Sequence, residues 1–420
     1  MKARIITIGD EITTGYIENT NATWICRRLT ESGITVEYVL AVGDTPESIQ
    51  NAVELAIAGT DIVIITGGLG PTRDDITKTT LTNFFNSELV FNEQVFQDIS
   101  RLFASRGFAM SELNRKQAMV PANCRVIRNL IGTAPAMVFT HGKTQLFSLP
   151  GVPFEMKRLM TDSILPELKK NLNQATVFKT VMIQGIGESH LAELLSNWEN
   201  ALPKDIKLSY LPSPGIIKLR FSSTGSDIKT VEEHIQTEIR KLNKIIPGYI
   251  FGYEDITMEA AIGKLLNTTQ QSLCTAESCT GGYIAHLLTS VPGSSAYFKG
   301  SVVAYSNDIK NNELGVSKET LDTKGAVSQE TAELMAGGAL KKFGCDYAIA
   351  TTGIAGPDGA TPGKPVGTVW IAIASASQIH SEKFQFGDDR QRNIRRSAVT
   401  ALNLLRKRIE KENFPQSFGL

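Results

Sequence analysis

Residues 66–77 read Thr-Gly-Gly-Leu-Gly-Pro-Thr-Arg-Asp-Asp-Ile-Thr. Glycines at 67, 68 and 70 let a backbone come close to a ligand, and the N–H groups of such a loop cradle phosphate oxygens, with Thr72 adding a hydroxyl. Asp74 and Asp75 either cap the helix that follows or hold a divalent ion that bridges phosphates. A glycine-rich turn with an N-cap is the bland alternative. It does not account for Asp10, Glu11, Asp44 and Asp75 all falling just after strand ends on one expected sheet edge. Leu149-Pro-Gly-Val-Pro-Phe-Glu155 adds another such loop and a further acid.

A second cluster of chemistry lies far along the chain. Thr275-Ala-Glu-Ser-Cys-Thr-Gly-Gly282 sits between an expected strand and helix, where a serine is exposed and helix-start N–H groups can stabilise an oxyanion. It is not a GxSxG elbow, and a simple N-cap role for Ser278 or Thr280 stands beside the nucleophilic one. Histidine offers little as a base, since His286 falls inside a helix and His380 opens a strand with no evident partner. Lys310 in Tyr305-Ser-Asn-Asp-Ile-Lys310 is the alternative base if its pKa is depressed, with Tyr305 as proton relay.

These residues need elements to position them. Strands are expected at Arg4–Ile8, Thr35–Val42 and Asp61–Thr66, alternating with helices at Asn21–Ser32, Pro46–Ala58 and Asp75–Phe85. That alternation predicts a parallel, doubly wound sheet whose ligands bind at the strands' carboxyl ends. Between about Val177 and Ile250 the order β-α-β-β-α predicts a small α+β module. From Met258 the alternation resumes, with strands at Ser272–Ala276, Phe298–Ala304, Tyr347–Thr351, Gly367–Ala374 and Ile379–Gln385. Helices are expected at Thr280–Thr289 and Gln329–Phe343, and a final one from about Asp389 to Glu412.

The chain has 420 residues with 43 Lys+Arg against 43 Asp+Glu, 42% apolar and 20% charged residues. This composition predicts two or three globular domains and excludes a disordered chain. Charge is nearly balanced on both sides of Glu254, so nucleic acid is not an expected partner. No apolar run reaches the ~18 residues of a membrane span, and the start is unlike a signal peptide. Five cysteines without CxxC spacing argue against a disulfide scaffold or zinc site. A cytoplasmic multi-domain enzyme is the expectation.

Residues 9–15 (Gly-Asp-Glu-Ile-Thr-Thr-Gly), 67–75 and 149–153 resemble the molybdopterin-binding, MoaB/MogA-like domain found in CinA proteins. Asp44 and Asp75 match the two aspartates that act in pterin adenylylation. In the CinA branch the resemblance implies instead a metal-dependent ADP-ribose pyrophosphatase, helped by K⁺, with Asp10, Glu11, Asp44 and Asp75 as expected metal residues. Mg²⁺, Mn²⁺ and Co²⁺ all suit oxygen ligands. Residues 276–282, 305–310, 325–328, 352–359 and 365–370 resemble the CinA C-terminal domain, a family that includes the nicotinamide-nucleotide amidase.

That second resemblance implies metal-free hydrolysis of nicotinamide mononucleotide to nicotinate mononucleotide and ammonia. Ser278 would be the nucleophile, Lys310 the base, Tyr305 its assistant, and Thr352 would lie near the amide. N–H groups of Thr280, Gly281 and Gly282 would hold the oxyanion. Gly353 and Gly356 would line the nucleotide, and Arg390 and Arg395 would bind its phosphate. The expected layout is a pyrophosphatase domain at 1–170, a spacer at 171–252 and an amidase domain at 256–415, in a homodimer. A non-catalytic pterin- or nucleotide-binding protein, and a molybdopterin adenylyltransferase in the first domain, are the other readings.

Overall fold

The computed structural model describes residues 1–170 and 175–414. The expected domain limits at 171 and 415 lie outside the described residues. The chain folds as two compact units, residues 1–177 with 224–231, and 178–223 with the residues from 232 on.

In the first unit, β1 (Lys2–Ile8), β2 (Thr35–Val42) and β3 (Ile62–Thr66) start the sheet. A ribbon of β4 (Leu89–Phe91) and β5 (Met119–Pro121) stands apart, and β6 (Arg125–Ile127), β7 (Ala136–His141) and β8 (Thr144–Leu149) complete the sheet in the order β2-β1-β3-β8-β7-β6. All five residues of β3 are buried because both sheet faces are covered. Ile62 and Ile64 join a core with the helices Thr20–Glu31 and Pro153–Leu159. Val63 and Ile65 join another with Pro46–Ile57 and Thr77–Phe84. Strand alternation thus builds the doubly wound form.

The uniformly parallel sheet expected from the sequence holds only for β2, β1, β3 and β8. β7 runs antiparallel to β8 and to β6. Two residues, Gly142 and Lys143, join β7 to β8, and so short a link permits a hairpin but no crossover.

In the second unit, β9 (Ala175–Ile183), β10 (Lys207–Ser213), β11 (Ile216–Gly225) and β12 (Ile250–Tyr253) form the sheet β10-β11-β9-β12, so the module gains a strand the sequence did not signal. Then β13 (Leu273–Glu277), β14 (Phe298–Val303), β15 (Tyr347–Gly353), β16 (Thr368–Ser375) and β17 (Ile379–Gln385) form the sheet β14-β13-β15-β16-β17. Its alanine-rich face, with Ala276, Ala348, Ala350 and Ala372, lets the helix Gln329–Phe343 pack closely through Ala332, Ala336 and Ala339. The opposite face packs Ile349, Ile371 and Ile373 against Leu402 and Leu405 of the last helix, Arg390–Asn413. Arg406 of that helix is buried and donates to the Gly248 and Ile250 carbonyls at 3.1 and 3.3 Å.

Candidate functional site

Each unit gathers its chemistry where parallel strands end together. In the first unit Ile8 pairs with Val42, and Thr66 pairs with both Thr7 and Leu149, so Gly9, Gly43, Gly67 and Pro150 start one edge. Gly67 has φ +116°, and a Cβ there would sit 2.1 Å from the Ile8 carbonyl oxygen. Only glycine lets the loop leave β3 so close to β1.

A cavity of about 610 Å³ opens here, lined by Gly67, Gly68, Gly70 and Thr72. Its wall also carries the carboxylates Glu11, Glu18, Asp44, Asp74, Asp75 and Glu155, with no Lys, Arg or His among the described residues. Asp75 does not cap the helix as one reading expected, because the helix starts at Thr77 after an Ile76 N-cap. Its Oδ2 instead accepts the Thr72 N–H at 2.9 Å and the Thr72 hydroxyl at 2.6 Å, which closes the loop.

Asp10 is exposed and does not line the cavity; it starts the short helix Asp10–Thr13. It is locked to Asp44, each backbone N–H donating to the other's carboxylate at 2.9 and 3.1 Å. Burial raises the Asp44 carboxyl above its ordinary value, and the charges of Asp10, Glu11 and Asp74 add to this against the Asp10 N–H bond. Burial likewise raises Glu155, which the Asn129 amide holds at 2.7 Å.

Six carboxylates with no cation among them attract a hard cation, which would also offset their repulsion of a phosphate. Among the described residues no three His, Cys, Asp or Glu side chains converge to cage an ion unaided. That arrangement fits a Mg²⁺-type ion that takes one or two carboxylates and completes its shell with water and phosphate.

In the second unit β13 pairs in parallel with β14 and β15, so Ser278, Tyr305 and Ile354 leave one edge. A cavity of about 270 Å³ there is lined by Ser278, Tyr305, Lys310, Thr352, Gly353, Gly356 and Arg390. Ser278 is not an N-cap, because the helix begins at Tyr283 behind Gly282 (φ +92°). Lys310 is 2% exposed, and its Nζ donates to the Ala304 carbonyl at 2.8 Å. Burial lowers its pKa, opposed only by the nearby Cys279 thiol, and no carboxylate pairs with it among the described residues. Cys279 also lines the cavity, and burial pushes its thiol up to about 12, so almost none of it is thiolate at neutral pH.

Arg390 ties the wall together: Nη1 donates to the Gly356 carbonyl at 2.7 Å and Nη2 to the Tyr305 hydroxyl at 2.9 Å. The Thr352 hydroxyl donates to the Ala326 carbonyl at 2.6 Å. Four expected site residues stand apart. Thr280, Gly281 and Gly282 do not line the cavity; the Thr280 hydroxyl meets that of Thr351 at 2.7 Å, and the Gly281 N–H goes to the Ser278 carbonyl at 3.1 Å. Arg395 is exposed on the last helix, away from the cavity wall. Asn307 and Asp358, which fall within the motifs at 305–310 and 352–359 but had no expected role, also line the cavity.

Three family models match the chain: a probable molybdopterin binding domain at residues 4–170, a damage-inducible protein CinA KH domain at 178–252, and a CinA C-terminal domain at 255–409. A CinA-like protein of Cytophaga hutchinsonii is 45% identical over 410 residues, covering 97% of this chain and 98% of that protein. The chain belongs to the CinA family. A putative competence-damage inducible protein of Caldicellulosiruptor saccharolyticus is 39% identical over 409 residues, covering 97% of this chain and 99% of its own. Among solved structures, the competence/damage inducible protein CihA of Agrobacterium tumefaciens is 41% identical, covers 36% of this chain and 92% of its own, and has a TM-score of 0.35. Among the described residues of this CinA-family chain, no helix is long and apolar enough to cross a membrane.

Proposed function

We propose that the second unit is a nicotinamide-nucleotide amidase and the first a metal-dependent ADP-ribose pyrophosphatase, so that one chain recycles two by-products of pyridine-nucleotide turnover. The amidase reading rests above all on one observation, a buried Lys310 with a lowered pKa in the same cavity as Ser278. A neutral amine there accepts the Ser278 proton as Oγ bonds to the carboxamide carbon. The tetrahedral adduct then breaks its C–N bond, and the proton returned by Lys310 leaves with ammonia. Water, activated by the same amine, cleaves the acyl ester and restores Ser278. With Lys310 neutral, Arg390 is the cation left on the cavity wall, suited to a phosphate monoester.

In the first unit the ion would neutralise pyrophosphate charge. Gly67, Gly68, Gly70 and Thr72 would direct N–H and hydroxyl donors at the phosphates, and Asp44 and Asp75 would hold the ion. The test measures ammonia from nicotinamide mononucleotide in EDTA, for wild type and Ser278→Ala, beside AMP from ADP-ribose with Mg²⁺, Mn²⁺ or Co²⁺ added. Ammonia formed by wild type alone supports the amidase, and none from wild type sinks it. AMP that appears without metal overturns the reading of the first unit.

A further inference from the structure

Glu277 takes no part in the chemistry above, yet it is fully buried immediately before Ser278. Its Oε2 accepts the Ile284 N–H at 2.9 Å and its Oε1 the Ala285 N–H at 2.8 Å, with the Thr275 hydroxyl 3.3 Å from Oε1. Those amides are the second and third of the helix Tyr283–Thr289, whose N-cap, Gly282, has no side chain to satisfy them. The carboxylate therefore reaches over the turn of residues 278–282 and fastens the end of β13 to the helix on its far side. Two charge-assisted bonds at a helix start hold more firmly than the single bond of an ordinary cap.

The backbone of the same residue works in the other direction. The Glu277 carbonyl accepts the Ala304 N–H at 2.8 Å, and the Ala304 carbonyl accepts an N–H from Lys310 Nζ, also at 2.8 Å. One residue, Ala304, thus joins the residue before the nucleophile to the side chain of the base through its N–H and its carbonyl. Next to it, the Ser278 N–H donates to the Thr351 carbonyl at 2.9 Å and fixes the third side of the turn.

We infer that Glu277 is the positioning residue of the amidase site, setting Ser278 against Lys310 by bridging its strand to the helix beyond the serine turn. This rests on the amidase reading. Displacements of about 1 Å cost enzymes about a hundredfold in rate, so the carboxylate governs turnover without touching substrate. Glutamine keeps the size but turns an NH₂ toward one helix N–H. Aspartate keeps the charge but is one methylene too short to bridge both amides.

The experiment measures phosphonylation of Ser278 by a fluorophosphonate, located by peptide mass spectrometry, together with kcat and KM for nicotinamide mononucleotide and the thermal melt. Expected for both Glu277→Gln and Glu277→Asp are labelling and kcat at least about tenfold slower, with KM within about twofold. A purely structural role would lower the melting temperature or the active fraction and leave the labelling rate of the folded protein unchanged. Wild-type labelling and kcat in either folded variant overturn the inference, as does a wild type that is not labelled at Ser278. If wild type is labelled but releases no ammonia, the amidase reading fails while the ratio of labelling rates still tests Glu277.

Discussion

Lys310→Met keeps the length and apolar stem of the side chain and removes the amine, so it separates packing from proton transfer. The lysine is almost wholly buried, makes one bond from Nζ to Ala304, and has its pKa lowered by that burial. Removing a general base costs about 10²–10⁴ in rate, equivalent to about 2.7–5.4 kcal/mol of transition-state stabilisation. Wild-type kcat/KM should climb with pH as the amine loses its proton, with the midpoint of the rise below the ordinary lysine value of 10.5. The variant's residual rate should lack that step.

Stability should follow the same titration. A lysine whose folded pKa is depressed carries its full burial penalty below the folded value. The penalty is relieved as pH rises from there toward the unfolded value of 10.5. Within that window the folded state binds fewer protons than the unfolded one, so wild type gains on the methionine variant by up to about 1.36 kcal/mol per pH unit. The assays are ammonia release in EDTA and denaturant melts across one pH series. A variant within tenfold of wild type, or a stability difference flat up to pH 10.5, refutes the argument.

Gly67→Ala should destabilise the first unit by about 2–4 kcal/mol, since it adds left-sided backbone strain to a Cβ placed 2.1 Å from the Ile8 carbonyl oxygen. Gly15→Ala has φ +78° with open space around it and should cost only about 1–2 kcal/mol; equal losses in urea melts would count against the close-approach argument. Arg390→Ala should raise KM for the mononucleotide about tenfold or more and lower kcat by freeing Tyr305 and Gly356. Arg390→Lys should not restore either, because a point charge cannot make both tethers, and full recovery with lysine would refute this. Cys279→Ser should keep most of the activity, and iodoacetamide at pH 8 should leave the wild-type thiol intact because burial holds it near 12; rapid alkylation with inactivation would reopen the cysteine as nucleophile.

Much of this fold was legible in the sequence, for reasons particular elements make plain. Thr35–Val42, Gln329–Phe343 and Ile379–Gln385 fold with the limits read from periodicity. In the second of these, Ser328 supplies the cap, its hydroxyl accepting the Thr331 N–H at 3.3 Å. Strand direction was less legible, because an apolar run looks alike whichever way it pairs. Only linker length betrayed the antiparallel edge at Gly142-Lys143.

The site divides along the same line. Ser278, Tyr305 and Lys310 follow strand ends, so reading where parallel strands stop brings them into one cavity. The oxyanion assignment to Thr280, Gly281 and Gly282 did not lead into that cavity, because it assumed a helix starting at Thr280. With Gly282 as an N-cap lacking a side chain, the helix's first donors needed an acceptor from elsewhere in the chain. Glu277, an acid at a fully buried strand end, supplies it. A buried carboxylate next to a serine therefore reads as an organising group before it reads as a catalytic one. The helix donors that satisfy it belong to residues that the spacing of the motif alone did not single out.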